Sequence, residues 1–201
     1  MALMTEKLRA IMALDPDRTE IDFEGHEYSW QQIADVVQAI ESGLQLTGLP
    51  IDARVGVMLR NRPGHIAAIV AVLSTDRCLV TLNPILPDQK LFADVEGLEL
   101  PVVIADATDL ARPGLAAALA AAGSAVIEIG PCLEGARVVN SEIRSEIHTS
   151  PGVAVEMLTS GTTGNPKRVP LSRAAFDASF RGFTKYERGR NFDDPPKLSS
   201  G

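Results

Sequence analysis

The sequence predicts an α/β fold, a doubly wound and largely parallel sheet with flanking helices. Between residues 54 and 129, short apolar runs alternate with stretches of helical periodicity. Two of the runs, Val102–Ile104 and Val126–Ile127, are continuously apolar, which is typical of strands that are buried on both faces. Strands that alternate with helices in this way form a parallel sheet covered by those helices.

Two smaller elements are predicted at the amino-terminal end. Apolar side chains at helical spacing indicate a first helix that ends near Asp15. Glu24 and Gly25 form a turn signal between Thr19–Phe23 and His26–Tyr28, so these two runs are predicted to pair as a hairpin.

A capping box begins the next helix. Ser29 and Gln32 have the S-x-x-Q spacing, and the helix is predicted to run from Ser29 to Gly48. The elements predicted after it are strands at Arg54–Leu59, Cys78–Leu82, Val102–Ala105 and Ala125–Ile129, and helices at Gly64–Ser74, Asp88–Glu96 and Pro113–Ala122.

The composition excludes several classes of protein. The 201 residues are 45% hydrophobic and 22% charged, with 16 Gly and two Cys, which excludes collagen-like, disulfide-rich and wholly disordered chains. A net charge of -7 argues against a nucleic-acid partner. The apolar run Ile66–Leu73 is far shorter than the roughly 20 residues that cross a bilayer, so we expect no membrane span.

The amino-terminal sequence has neither the apolar segment nor the cleavage site of a signal peptide, so we expect a cytoplasmic protein. Cys78 and Cys132 are far apart and lack the spacing of a metal site, which predicts buried, reduced thiols. The three His residues likewise have no metal-site or triad spacing, and we interpret them as satisfied structural or surface residues; no metal ligand is assigned.

One loop carries the groups expected of a phosphate site. The predicted strand Val153–Leu158 runs into Thr159–Arg168, which holds two glycines, four hydroxyl side chains and Lys167. Glycines let backbone N–H groups turn toward an anion, and the lysine adds a positive charge suited to phosphate oxygens. A short strand, Val169–Leu171, and a helix capped by Ser172 are predicted to follow.

The loop has three other possible interpretations. A Walker A loop requires the lysine directly after the last glycine and a Ser or Thr after it, but Asn165 and Pro166 precede Lys167, and Arg168 follows it. The spacing of a dinucleotide-binding G-x-G-x-x-G motif is absent. A plain surface turn rich in Gly and Thr is the remaining alternative, which the length of the motif and its place after a strand disfavour.

The loop resembles the signature T-S-G-T-T-G-x-P-K of adenylate-forming enzymes, which include acyl-CoA synthetases, nonribosomal peptide adenylation domains and luciferases. Three upstream segments, Tyr28–Trp30, Ala53–Leu59 and Leu79–Pro84, are also similar to the amino-terminal half of that family in order and spacing. The resemblance extends from about Thr19 to about Phe183 and implies the α/β amino-terminal subdomain of such an enzyme.

The resemblance implies an ATP-dependent acid-thiol ligase, most like an acyl-CoA synthetase of fatty acid metabolism. The enzyme would convert a carboxylic acid to an acyl-adenylate and transfer it to the thiol of coenzyme A or of a carrier protein's phosphopantetheine. Mg²⁺ would assist, although we assign no carboxylate to it. The implied ATP-binding residues are Thr159, Ser160, Gly161, Thr162, Thr163, Gly164 and Lys167; no catalytic residue is assigned.

Two features depart from the family. Arg168 stands where the family usually has Gly, which makes the loop less pliable and adds a cation. The family's adenine- and ribose-binding motifs, acyl pocket and carboxy-terminal domain do not follow Phe183. We therefore expect residues 1–184 to form an amino-terminal subdomain and residues 185–201 to be a loose tail at a truncation point, and we expect the isolated chain to be inactive.

The expected partners are the carboxylic acid, ATP, a thiol acceptor and the missing carboxy-terminal part of the enzyme; a homo-oligomer is compatible with the sequence. The first alternative is a nucleotide-binding or interaction module without catalysis, and the second is an adenylation domain that loads a carrier protein. A kinase-like P-loop enzyme is a further alternative, but it predicts an acidic Mg²⁺ ligand at the end of a later strand, which is absent.

Two further patterns are open to more than one interpretation. Asp106 and Asp109 follow a predicted strand at the edge where α/β folds bind ligands, but loop solubility explains them equally well. Lys167–Arg190 carries seven basic and two acidic side chains, a local charge of +5. This patch either attracts ATP or forms a solvated helix face or a contact with a missing segment, and the latter is favoured.

Overall fold

The computed structural model of the protein describes residues 3–159 and 167–179. The helices are α1 (Leu3–Leu14), α2 (Trp30–Leu46), α3 (Pro63–Ser74), α4 (Asp88–Leu98), α5 (Ala107–Leu110) and α6 (Leu115–Ala121). The strands are β1 (Thr19–Phe23), β2 (His26–Ser29), β3 (Arg54–Met58), β4 (Cys78–Leu82), β5 (Val102–Asp106), β6 (Ala125–Ile129), β7 (Ala136–Asn140), β8 (Val153–Thr159) and β9 (Lys167–Ser172). The predicted tail, 185–201, lies outside the described residues.

A seven-stranded sheet in the order β7-β6-β5-β3-β4-β8-β9 forms the centre of the fold. The five inner strands are parallel, whereas β7 and β9 are antiparallel to their neighbours at the two edges. β1 and β2 form a separate hairpin, as predicted from Glu24 and Gly25, both of which have positive φ. None of the helices within residues 3–159 and 167–179 combines the length and the hydropathy needed to span a bilayer.

Both faces of the sheet are covered by helices. Val55 and Val57 of β3 pack with α2 and α3 in one hydrophobic cluster, which α1 extends through Met4. Met58 of the same strand belongs to a second cluster with α4 and α6 on the opposite face. Because alternate residues of β3 are buried against different helices, the continuous apolar runs indeed mark strands buried on both faces, and the doubly wound prediction is confirmed.

The predicted capping box at the start of α2 is present. Ser29 accepts a hydrogen bond from the backbone N–H of Gln32 at 3.4 Å, and the Gln32 side chain accepts one from the Ser29 N–H at 2.9 Å. The amphipathic pattern after it places Ile33, Ile40 and Leu44 in the core with no exposed surface.

The main differences from the sequence-based prediction concern four elements, apart from bounds that shift by one or two residues. β7 and α5 were not predicted, and β9 is longer than the predicted Val169–Leu171. α6 begins at Leu115 rather than Pro113, because Gly114 adopts a φ of 91°, which a helix does not contain. The edge strands are hard to recognise because their half-exposed residues lack a continuous apolar run.

The turn between α3 and β4 links the two ends of the described chain. The Thr5 hydroxyl of α1 donates a hydrogen bond to Asp76 at 2.8 Å, and Arg173 contacts the same carboxylate at 3.4 Å. The Met4 backbone N–H also donates to Asp177 at 2.9 Å. The segment after β9 is therefore anchored to the amino-terminal helix.

Gly64 of α3 and Gly97 of α4 provide a matched pair of substitutions to alanine. A Cβ at Gly64 would collide with the Gly130 carbonyl oxygen, whereas a Cβ at Gly97 would meet nothing within 4 Å. We expect Gly64→Ala to lower the free energy of unfolding by about 1–3 kcal/mol through overpacking. Gly97→Ala should raise it by about 0.5–1 kcal/mol because alanine loses less backbone entropy in a helix.

Urea unfolding of both variants beside the wild type measures this difference. Equal effects of the two substitutions would show that the close approach of α3 to Gly130 does not limit the residue at position 64.

Candidate functional site

The two ends of the predicted phosphate loop meet at one end of the sheet. Thr159, the last residue of β8, pairs with Lys167, the first residue of β9. The Thr159 hydroxyl donates a hydrogen bond to the Lys167 carbonyl at 3.1 Å, and Lys167 is exposed. The other predicted ATP-binding residues, Ser160, Gly161, Thr162, Thr163 and Gly164, lie outside the described residues, so the assignment of the whole set stays a prediction.

β8 reaches this edge beside β4, and the two strands cease to pair before they end. The register joins Leu79 to Val155 and Val80 to Glu156, and goes no further. At the next position the Thr81 hydroxyl replaces the backbone hydrogen bonds between the two strands. It donates to the Glu156 carbonyl at 3.4 Å and accepts from the Leu158 N–H at 3.3 Å. A side chain thus supports the strand that leads into the loop.

Arg168, the second residue of β9, turns its guanidinium toward the body of the protein. Nη1 donates to the Thr81 carbonyl oxygen at 3.0 Å, and Nη2 lies 3.3 Å from Asp94 of α4. Burial lowers the pKa of Arg168, and Asp94 partly offsets this effect. The cation expected from the sequence is present, but it is paired with a carboxylate of the neighbouring helix.

A carboxylate network fixes the middle of β8. Glu156 accepts hydrogen bonds from Arg54 of β3 at 2.9 Å and from the Ser150 hydroxyl at 2.9 Å, and the Cys78 thiol lies 3.8 Å away. Burial raises the pKa of Cys78 to about 12, with a further contribution from the charge of Glu156. The thiol is thus buried and protonated at neutral pH, as predicted, whereas Cys132 is partly exposed.

The acids at the end of β5 and in α5 form ion pairs through buried carboxylates. Asp109 receives both Nε and Nη2 of Arg60, at 2.8 and 2.6 Å, and Asp106 receives Nη1 of Arg62 at 3.0 Å. Neither carboxylate has any exposed surface. These aspartates are thus not solvated loop residues, and the ligand-binding position that their place in the sheet suggested is occupied by two arginine side chains.

His65 lies against the same cluster without a hydrogen bond. Its side chain is 1% exposed, and neither ring nitrogen has a partner among the described residues. Nε2 is 3.7 Å from an Asp106 oxygen, and burial lowers the pKa of the ring. Within the described residues, the interpretation of His65 as a histidine with satisfied hydrogen bonds is therefore wrong.

His65, Asp106 and Asp109 place one potential metal-ligating atom each within 4.8 Å of one another. The carboxylates, however, already receive Arg60 and Arg62, so a divalent cation would be brought next to two positive charges. The arrangement fits a buried ion-pair cluster better than a metal site.

A cleft of about 320 Å³ opens beside the arginines, between the β1 strand and the start of α3. Its walls are mainly apolar and include Ile21, Phe23 and Ile66. Neither Thr159 nor Lys167, the described residues of the predicted phosphate site, lines this cleft.

Comparison with known proteins decides the family. A sequence model of the family described as AMP-binding enzyme matches residues 8–195. The chain belongs to the AMP-binding enzyme family. The match covers the resemblance predicted from the loop and from the three upstream segments, and it confirms that prediction.

Two relatives of this AMP-binding family member are named as synthetases. Pyochelin synthetase PchF of Pseudomonas aeruginosa is 30% identical over 165 residues, which are 81% of this chain and 8% of PchF. AMB antimetabolite synthetase AmbB of the same species is 27% identical over 171 residues, 83% of this chain and 13% of AmbB. The chain thus spans only a small fraction of the curated relatives that it matches.

A solved structure has the same fold. ATP-bound MatB from Rhodopseudomonas palustris superimposes with a TM-score of 0.68 at 22% identity, over 94% of this chain and 38% of MatB. This family member therefore has the fold of the corresponding part of MatB.

The buried imidazole of His65 predicts a pH dependence of stability. Because burial lowers its pKa in the folded state below the ordinary value of about 6.5, the unfolded chain takes up the proton first. Stability is full above about pH 6.5 and falls as the pH drops toward the lower folded-state pKa, by at most about 1.4 kcal/mol per pH unit.

We expect the free energy of unfolding to fall less steeply from pH 7 to pH 5 in His65→Leu than in the wild type. His26→Leu, at an exposed position of the hairpin, is the control and should keep the wild-type slope. Parallel slopes for His65→Leu and the wild type would contradict the assignment.

Proposed function

We propose that the chain supplies the pyrophosphate-binding part of an enzyme that uses ATP to activate a carboxylic acid. The observation that carries the proposal is the position of Lys167, exposed at the first residue of β9 and held by pairing with Thr159 where β8 ends. Parallel α/β sheets bind ligands at the carboxyl ends of their strands. Membership of the AMP-binding enzyme family supports the same chemistry.

In the proposed reaction the substrate carboxylate attacks the α-phosphorus of ATP, and the bond to the pyrophosphate oxygen breaks. An acyl-adenylate forms, and negative charge accumulates on the departing pyrophosphate. Lys167, with the donors of Ser160–Gly164, would stabilise that charge. The Thr159 proton already contacts the Lys167 carbonyl, so Thr159 would serve this site chiefly by closing the base of the loop.

Mg²⁺ is part of the proposal, but the described carboxylates near the loop do not suit it. Glu156 accepts from Arg54 and Ser150, and Asp94 is paired with Arg168. Both acids are thus engaged, and we assign neither of them to the metal. A cytoplasmic location likewise remains a prediction from the sequence.

The thiol acceptor has two candidates. Coenzyme A follows from the resemblance to acyl-CoA synthetases. A carrier protein's phosphopantetheine follows from the resemblance to nonribosomal peptide adenylation domains. In either case the thiolate would attack the acyl carbon, and AMP would leave.

ATP–pyrophosphate exchange by the full-length protein tests this proposal. ATP–pyrophosphate exchange is screened across carboxylic acids, and the active acid is then offered with coenzyme A or with a phosphopantetheinylated carrier protein. Acid-dependent exchange supports acid activation, and the thioester product identifies the acceptor. Binding of MgATP without exchange for any acid would instead support a nucleotide-binding module without catalysis.

Replacing Lys167 should slow adenylate formation in the full-length enzyme. We expect Lys167→Ala to reduce ATP–pyrophosphate exchange by about 100-fold, since one donor to developing charge has that value in other active sites. Lys90→Ala, which removes an exposed lysine of α4, is the matched control and should leave exchange unchanged. An unaltered rate in Lys167→Ala would refute the pyrophosphate assignment.

A further inference from the structure

The strand that leaves the phosphate loop is joined to the sheet in an unusual way at its first two residues. β9 is an edge strand, and it pairs only with β8. β8 itself has lost its pairing with β4 beyond Glu156, so the end of the β8–β9 hairpin has no backbone ladder to the rest of the sheet. Side chains must hold that end in place.

Two side chains do so. The Thr81 hydroxyl connects β4 to β8 through Glu156 and Leu158. Arg168 connects β9 to β4, passing across β8, through its 3.0 Å hydrogen bond to the Thr81 carbonyl oxygen. The two contacts converge on a single residue of β4, at the point where backbone pairing has stopped.

Arg168 is also tied to the helical layer. Its Nη2 lies 3.3 Å from Asp94 of α4, and its side chain is 19% exposed. The planar guanidinium presents several donors in fixed directions, so one group can bridge a carbonyl and a carboxylate, which a lysine ammonium on a flexible stem does less well. β9, β4 and α4 are thereby joined through one side chain.

Lys167 is the immediate neighbour of Arg168. Successive residues of a strand point to opposite faces, so the Arg168 contacts on the α4 side leave Lys167 on the other side, where it is exposed. Fixing Arg168 also fixes the backbone on which Lys167 stands. A charged group whose backbone is held before binding loses less entropy when it binds an anion.

We propose that Arg168 is a positioning residue that holds the start of β9 against Thr81 and Asp94, so that Lys167 meets a polyphosphate from a fixed backbone. The inference rests on the proposed function, in which Lys167 binds the pyrophosphate group. Arg168 acts through Lys167 and is not itself a phosphate ligand.

The two roles for Arg168 predict opposite results for two substitutions. If Arg168 contacted phosphate directly, Arg168→Lys would keep most of the affinity because the charge remains. Asp94→Asn would also leave affinity equal or higher, since an acid is removed. If Arg168 is a positioning residue, Arg168→Lys resembles Arg168→Gln, and Asp94→Asn weakens binding.

The test is titration calorimetry of the full-length protein with magnesium pyrophosphate, together with amide hydrogen exchange of residues 167–172. We expect Arg168→Gln and Arg168→Lys to weaken binding by about fivefold to tenfold, the scale of the net contribution of one ordinary hydrogen bond. Asp94→Asn should weaken it by about twofold to threefold. Hydrogen exchange of residues 167–172 should be faster in all three variants without ligand.

Arg137→Gln is the matched control, because Arg137 forms an exposed two-point pair with Glu128 on β6, away from β9. It should change neither affinity nor exchange at residues 167–172. If Arg168→Gln fails to fold, the affinity of Asp94→Asn tests the positioning role instead. Asp94 is partly exposed, so we expect its substitution to be tolerated by the fold.

The outcomes distinguish failure of the positioning role from failure of the proposed function. Weaker binding in Lys167→Ala with unchanged binding in the Arg168 and Asp94 variants would overturn the positioning role alone. If Asp94→Asn bound magnesium pyrophosphate as tightly as the wild type or more tightly, and Arg168→Lys kept most of the wild-type affinity, the positioning role would be overturned in favour of direct phosphate contact. Unchanged binding in Lys167→Ala would overturn the proposed function and this inference with it.

Discussion

Burial of the central parallel strands on both faces is the constraint on which the rest of the structure depends. Val57 and Met58 are adjacent residues of β3, and each is fully buried in a different hydrophobic cluster. Strands buried in this way leave little room for polar side chains, and several polar side chains of this sheet lie near the strand ends. Thr81 and Asp106 lie near the carboxyl ends of β4 and β5, and the loop stem at Thr159 lies at the corresponding end of β8.

The inner strands and their helices could be predicted because their signals are local. A capping box joins Ser29 to Gln32, and a buried strand is a continuous apolar run. β7 could not be predicted in this way, since Arg137 and Val139 are exposed and its half-buried pattern resembles that of a loop. β9 contains Pro170, which a central strand excludes and only an edge strand tolerates.

The candidate site was predictable in its residue types and not in its pairing. The motif predicts a phosphate loop between β8 and β9; its described ends, Thr159 and Lys167, are paired, and the loop itself stays a prediction. The inward direction of Arg168 depends on Thr81 and Asp94, which are 87 and 74 positions away in the chain. The Arg60–Asp109 pair likewise spans 49 positions, so nothing local distinguished these buried ions from solvated loop residues.

The anchor at Asp76 gives the amino-terminal helix a role beyond covering the sheet. Thr5 and Arg173 share one carboxylate, and Met4 and Asp177 are joined across 173 positions. Local unfolding occurs in cooperative units defined by such contacts and not by sequence distance. The first turn of α1 and the segment that follows β9 thus belong to one unit, and shortening the chain at its start would remove contacts that hold this segment in place.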